Sequence, residues 1–264
     1  MTIPAHARAV VIGGGVVGCS VAYHLGKLGW QDVLLLERKQ LTCGTTWHAA
    51  GLIAQLRATQ NMTRLAKYSQ ELYFGLEAET GVATGFKRNG SITVALTNER
   101  MEELRRSVAM ARAFGVEIDE VSPTDIVTRY PGLSLADIVG GVWLPKDGQA
   151  DPVNITQALA KGARNRGVVI HQGVKVTGIT QTDGRVTGVT TDTGNIRADY
   201  VVNAGGMWAR EIAHLAGVAV PLHACEHFYI VTEAMPGLTA NLPVLRVPDE
   251  CAYYKEDAGK ILLG

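Results

Sequence analysis

Gly13, Gly15 and Gly18 stand as G-x-G-x-x-G within VVIGGGVVGCS. That spacing carries chemistry where a strand runs into it and a helix starts in it. There the first glycine permits a tight turn, and the second lets a pyrophosphate approach the backbone without meeting a Cβ. The third lets helix and strand lie close together. The helix start presents free N–H groups and the positive end of its dipole to the phosphates. Glu37 lies 19 residues beyond Gly18. A carboxylate at that distance accepts ribose hydroxyls and repels a 2′-phosphate, which disfavours NADP. The motif by itself does not separate FAD from NAD.

The elements that must position these residues are legible nearby. Residues 8–12 (RAVVI) are a short β-branched run suited to a strand buried on both faces. CSVAYHLGKLG reads as a helix, with Val21, Leu25 and Leu28 on one side and Gly29 closing it. VLLL at 33–36 is the next buried strand, and Glu37 ends it. RKQLTCGTTWHAAGLIAQL follows, rich in small residues and holding Trp47 and His48. It contains no further apolar strand of the kind a second NAD-binding half requires. A helix is expected over 61–80, with Leu65, Tyr68, Leu72 and Leu76 on its apolar face.

Further on, DPVNITQALAKGARNR (151–166) reads as a helix started by Asp151 and Pro152. A meander through VKVTGI and RVTGVTTD turns at Asp183-Gly184. DYVVNAGGMWA ends a strand at Gly205-Gly206. Between and after these segments, GSITVAL and GGVWLP alternate as strands, ERMEELRRSVAMARAFG is an amphipathic helix, and SPTDIVTRYPGL is a turn and short helix. These imply an antiparallel sheet with helices on one side. A strand over HACEHFYIVT would place His223, Cys225 and His227 on one face, as metal ligands are placed. No fourth ligand stands nearby at a fixed spacing, so no metal is expected.

Composition excludes several classes. Lys plus Arg and Asp plus Glu are both 25, which leaves no bulk charge for nucleic acid or for a polybasic membrane anchor. No apolar run approaches the roughly 18 residues a membrane span needs. The N-terminus lacks a secretory pattern, and the four cysteines form no CxxC pair and no disulfide framework. A reduced, cytoplasmic protein is expected.

The chain resembles the amine-oxidising flavoproteins of the D-amino-acid oxidase type, and within them the dimethylglycine dehydrogenase and sarcosine dehydrogenase group. The resemblance lies in VVIGGGVVGCSVAYHLGKLG, LLLERKQLTCGTTWHAAGL, DGQADPVNITQALAKGAR, VVNAGGMWAREI and PVLRVPDECAYYKEDAGKILLG. It implies an α/β fold (α+β overall), with a Rossmann-type FAD-binding domain that contains a β-meander crossover. That domain would comprise 1–86 and 148–222. An incomplete antiparallel-sheet substrate domain would comprise 87–147 and 223–264. Proteins of this type continue past this point, so a fragment or truncated product is expected.

The resemblance also implies the roles of residues. FAD would contact Gly13, Gly15, Gly18, Glu37, Arg38, Thr45, Thr46, Gly51, Leu52, Val176, Gly205 and Gly206. His48 would carry it covalently through the 8α-methyl group; an imidazole nitrogen can add to the electrophilic methide form of a flavin. His227 of His227-Phe228-Tyr229 would stand beside the substrate, with one tyrosine of Tyr253-Tyr254. A strand alternates faces, so only one of the two serves, and Tyr254 is preferred. Glu226 and Phe228 stand where Gln is common, and Lys255 where an Arg is familiar.

The reaction implied is oxidative N-demethylation of dimethylglycine or sarcosine, with hydride passing to flavin N5. The alternatives are oxidation of another small amine or amino acid, and a non-catalytic FAD-binding fragment or electron-transfer subunit. Oxygen, an electron-transfer flavoprotein or a quinone chain would accept the electrons. Tetrahydrofolate would act in a full-length protein that carries a domain for it.

Overall fold

The computed structural model describes residues 3–264. The chain opens with β1 (His6–Ile12), α1 (Val16–Lys27), β2 (Val33–Glu37), β3 (Leu52–Ile53) and α2 (Gln60–Thr80). It continues with β4 (Ser91–Ala95), α3 (Asn98–Ala113), β5 (Asp119–Val121), α4 (Pro123–Arg129), β6 (Gly140–Leu144) and β7 (Gly148–Gln149). Then come α5 (Pro152–Arg164), β8 (Val169–Gln172), β9 (Val176–Thr182), β10 (Arg185–Thr191), β11 (Gly194–Asn203) and α6 (Ala209–His214). It closes with β12 (Ile230–Val231), β13 (Val244–Val247), β14 (Ala252–Asp257) and β15 (Lys260–Leu263). Two compact units result. The first is 1–49, 75–84 and 151–225; the second is 50–74, 85–150 and 226–264.

The first unit is built on a six-stranded sheet in the order β8-β2-β1-β11-β10-β9. β1 has parallel neighbours on both sides, which explains why its sequence is almost continuously apolar. Val10, Ile12, Leu34 and Leu36 enter one core with Val189, Ile196 and Ala198. The meander turns at Asp183 and Gly184 with φ of 50° and 75°, the left-handed pair that a two-residue hairpin requires. On α5, Gly162 faces the Tyr23 ring of α1, and a Cβ there would stand 2.8 Å from it. Tyr23 in turn donates to Glu79 at 2.7 Å, and Arg166 pairs with the same carboxylate at 2.8 Å.

Asp151 starts α5 as the sequence implies. It accepts from the N–H groups of Val153 at 2.8 Å and Asn154 at 3.0 Å, and Pro152 takes the first turn. Asp151→Ala should cost about 1 kcal/mol. Urea unfolding of the two proteins checks this, and equal midpoints would remove the cap from the account.

The second unit holds a seven-stranded sheet in the order β12-β15-β14-β13-β4-β6-β5. It differs from the expected layout in two respects. β13 runs parallel to β4, so the sheet is mixed. Helices also cover both faces. On one, Met101, Leu104, Val108 and Ala111 of α3 pack with Ala95, Val142 and Leu144. On the other, Ile126 of α4 and Tyr130 pack with Ile92, Val94, Leu245 and Val247. The cause is strand alternation: neighbouring strand residues are apolar on both faces.

Residues 50–74 group with this second unit, whereas the sequence-based division assigns them to the first. β3 pairs with β7 through Leu52 and Gln149, and Gln70 ties the segment down further. Gln70 is fully buried; it accepts from Gln55 and donates to the carbonyl of Lys146. Leu65 and Tyr68, expected on the apolar face of α2, are exposed, while Thr63 and Gln70 point inward. The inward place of Gln70 is held by its two side-chain hydrogen bonds, to Gln55 and to the Lys146 carbonyl.

Candidate functional site

The glycine turn sits where β1 ends. Gly13 adopts φ 115° and donates to the carbonyl of Leu36 at 2.9 Å. A Cβ on Gly13 would strike the carbonyl of Ala204, and one on Gly18 would strike the carbonyl of Gly13. Gly14 is equally constrained: its Cβ would lie 2.6 Å from Leu41 and 2.8 Å from the Glu37 Cβ. The G-x-G-x-x-G pattern leaves that position open, so the motif alone does not reveal the constraint. Around Gly15 only Thr46 Oγ1, at 2.9 Å, would meet a Cβ.

Gly15 opens α1 with no side-chain cap of its own. Thr46 reaches back and accepts from the Val16 N–H at 3.1 Å. Glu37 is buried and accepts from the Gly14 N–H at 2.7 Å through Oε2 and from the Lys39 N–H at 2.9 Å through Oε1. The Cys43 thiol also donates to Oε1, at 3.8 Å; of the roughly four lone-pair sites of a carboxylate, the free one lies on Oε2 and is open to a ribose hydroxyl. The acid thus holds the turn that would hold the phosphates.

These groups line a cavity of about 530 Å³ that lies within the first unit. Gly13, Gly15, Glu37, Arg38, Thr45, Thr46, Val176, Gly205 and Gly206 all contribute to its wall. Trp208, which the sequence did not single out, contributes as well; the Arg38 guanidinium stacks 4.1 Å from its ring. Cys19 lies just beneath the turn, where burial pushes its thiol up to about 12, so it is inert at neutral pH. A helix start whose own first residue supplies no cap, a glycine bend and an acid with a spare acceptor match the adenosine diphosphate part of a dinucleotide such as FAD.

The remaining cofactor candidates lie elsewhere. Gly18 packs under the turn and does not line the cavity. His48 ends a short 3-10 turn (Thr46–His48) and is exposed, with its ring 3.6 Å from that of Trp47. Gly51 and Leu52 belong to the second unit, where the Gly51 carbonyl accepts from Ala150 at 2.9 Å.

In the second unit, His227 is exposed and precedes β12, which is confined to Ile230–Val231. The longer strand expected over 223–232 does not form. Among the described residues no group of three His, Cys, Asp or Glu is placed to hold a metal, and no helix is long and apolar enough to cross a membrane.

The two tyrosines point opposite ways. Tyr254 pairs with Leu245 and packs into the apolar cluster beside Tyr130, whose hydroxyl burial pushes up to about 12. Tyr253 pairs with Arg246 on the other face. Tyr254, the tyrosine that the sequence-based reading prefers, thus has its ring against the apolar cluster. Asp147, also absent from the sequence reading, is buried on the β6–β7 turn. It accepts from Ser91 Oγ at 2.7 Å and from the Gln55 N–H at 2.9 Å. Burial raises its pKa above the ordinary carboxylate value.

Comparison with known proteins places these features in context. The family described as FAD dependent oxidoreductase (DAO) matches residues 8–264. The mitochondrial pyruvate dehydrogenase phosphatase regulatory subunit of Mus musculus is 38% identical over 100% of this chain and 30% of its own length. A formaldehyde-forming 4-methylaminobutanoate oxidase of Paenarthrobacter nicotinovorans is 40% identical over 99% of this chain and 32% of its own. Human mitochondrial sarcosine dehydrogenase is 40% identical over 99% of this chain and 29% of its own. The chain thus spans about 30% of the length of these relatives. Among solved structures, an L-proline dehydrogenase from P. horikoshii is 28% identical with a TM-score of 0.89, over 99% of this chain and 70% of that one.

Proposed function

The chain belongs to the FAD-dependent oxidoreductase (DAO) family, and from that premise we propose that its full protein oxidises a small N-methylated amino acid, sarcosine or dimethylglycine. The observation that carries the cofactor half is the start of α1 at Gly15 beside Glu37, in a cavity walled by the glycine turn. The substrate half is supported by two relatives whose names specify N-methylamino acids, sarcosine and 4-methylaminobutanoate. FAD, when bound, would supply a two-electron acceptor for the hydride of the N-methyl carbon, and water would convert the resulting iminium to formaldehyde and the demethylated amine.

The chain's own residues bind and orient. Glu37 and the α1 N–H groups hold the adenosine diphosphate part. His227 takes a proton from the substrate ammonium and so keeps the nitrogen lone pair available. Tyr253, not Tyr254, lines the substrate side. His48 bears the flavin covalently. Capture of the one-carbon unit by tetrahydrofolate, in a full protein with a domain for it, belongs to the same reading. So do an electron acceptor such as oxygen or an electron-transfer flavoprotein, and a reducing compartment such as the cytoplasm. The four cysteines are free thiols, which suits such a compartment.

Acid precipitation of the full-length protein tests the covalent bond. Yellow flavin should stay with the wild-type pellet and pass to the supernatant in His48→Ala. Flavin released from the wild type would remove His48 from that role. Anaerobic addition of sarcosine should bleach the flavin. A second reading, a non-catalytic FAD-binding protein, is favoured by the likeness to a phosphatase regulatory subunit. Retained colour with every N-methyl amine would select it.

A further inference from the structure

A second groove, of about 820 Å³, opens in the first unit where β1 and β11 meet the hairpin of β9 and β10. We propose that it docks an acidic segment of a partner protein. Strand alternation builds its floor. On β1, Ala7 enters the apolar core, so His6 and Arg8 project from the opposite face. On β11, Ile196 and Ala198 enter the same core, so Arg197 and Asp199 project outward too. His6 and Arg197 are register partners across the parallel pair. On the other side of Arg197 stands Gly188 of β10, which puts no side chain beside it. Arg185, at the start of β10, completes the basic lining.

Three arginines and a histidine therefore share the groove, and among the lining residues Asp199 is the sole carboxylate. Asp199 stands 3.9 Å from His6 Nε2. The Arg8 guanidinium lies 4.1 Å from the centre of the Trp30 ring, which Tyr200 meets edge-on at 5.4 Å. Among the described residues neither Arg185 nor Arg197 has an ion pair or a side-chain hydrogen bond. The whole chain is balanced, with 25 basic and 25 acidic residues, so the surplus is local to this face. Like charges gathered on one face repel, and an anionic partner relieves that repulsion.

Exposure and charge pattern identify the occupant. All three arginines are exposed, so a small anion would stay largely solvated and each single pair would contribute little. A polypeptide segment engages several of them at once, and each of its carboxylates can take the two parallel N–H···O bonds of an arginine fork. A nucleic acid fits less well. It draws its affinity from many phosphate contacts, more than three arginines supply, and Asp199 would repel its backbone. The same Asp199 can accept from a peptide N–H. The groove shares no lining residue with the cofactor cavity. His6 opens the 7-residue β1 and Gly13 follows its end, which at ~3.3 Å per residue separates them by about 20 Å. A partner docked here leaves the cofactor cavity open.

The test uses the full-length, flavin-loaded protein and the fluorescence anisotropy of a dye-labelled hexaglutamate peptide. Binding should saturate and should weaken as salt is added. The double variant Arg185→Gln/Arg197→Gln should bind the peptide about tenfold more weakly, two exposed pairs having been removed. Its flavin content and Tm should match the wild type. Thr187→Glu adds an acid to the groove lining without removing an arginine, and should weaken binding as well. Arg64→Gln/Arg112→Gln makes the same change of charge at exposed positions of the second unit and should leave binding unchanged. A wild type that does not bind hexaglutamate overturns the proposal. So does equal weakening in the two double variants, which marks attraction by bulk charge. A duplex DNA that binds through Arg185 and Arg197 more tightly than the peptide assigns the groove to nucleic acid instead. Displacement of the peptide by an equal concentration of inorganic phosphate assigns it to a small anion, and either result overturns the proposal.

Discussion

Gly18→Val is expected to yield a protein that neither retains FAD nor keeps its normal stability. The Cβ alone would be driven into the Gly13 carbonyl, a backbone atom that cannot rotate aside, and would also press on Ala204 at 3.4 Å. Two responses are open, and both are damaging. α1 can retreat from β1, which opens the core around it. Alternatively Gly13 can shift from φ 115°, which breaks its bond to Leu36 and moves the N–H groups that face the phosphates. Forced overpacking of this kind costs about 3 kcal/mol or more. Thermal unfolding and the flavin-to-protein absorbance ratio measure the two effects. A variant with normal Tm and full flavin would mean that the turn tolerates a side chain, and the pyrophosphate site would lose its basis.

Glu37→Gln should have the second largest effect. In the native acid each oxygen takes a backbone N–H, from Gly14 and from Lys39. An amide can place an oxygen toward only one of them and must turn an NH2 toward the other, so donor meets donor. Hydrogen bonds to a charged group contribute about 1.5–3 kcal/mol each. With the loss of a ribose acceptor added, FAD affinity should drop by about a hundredfold. The titration is made in a His48→Ala background, where flavin exchanges freely. Unchanged affinity there would show that Glu37 serves the turn and not the nucleotide.

The cofactor side of this protein was legible because its signals are local. One strand, one glycine turn, one helix and one acid fall within residues 8–37, and their spacing is set by the geometry of a βαβ unit. The hairpin at Asp183-Gly184 and the Asp151 cap were readable for the same reason: each is decided by a few consecutive residues. Even there, the second duty of Glu37 depended on a contact 23 residues away, from the Gly14 N–H.

The substrate side was not legible to the same degree. Tyr253 and Tyr254 are identical neighbours, and only the register of β14 against β13 decides which of them enters the core. Leu65, expected on the apolar face of α2, is exposed, while Gln70 lies inside and donates to a carbonyl 76 residues downstream, a contact that no local pattern announces.

What the sequence by itself determined is the binding unit for a dinucleotide, since backbone sterics at three glycines and the length of one strand–helix repeat leave few other outcomes. Tertiary structure alone decided how charge is distributed in the second unit. Ser91, Asp147 and Arg246 come from three distant segments, and the compensation of one buried charge by another depends on distance in space and on burial, which strand pairing sets.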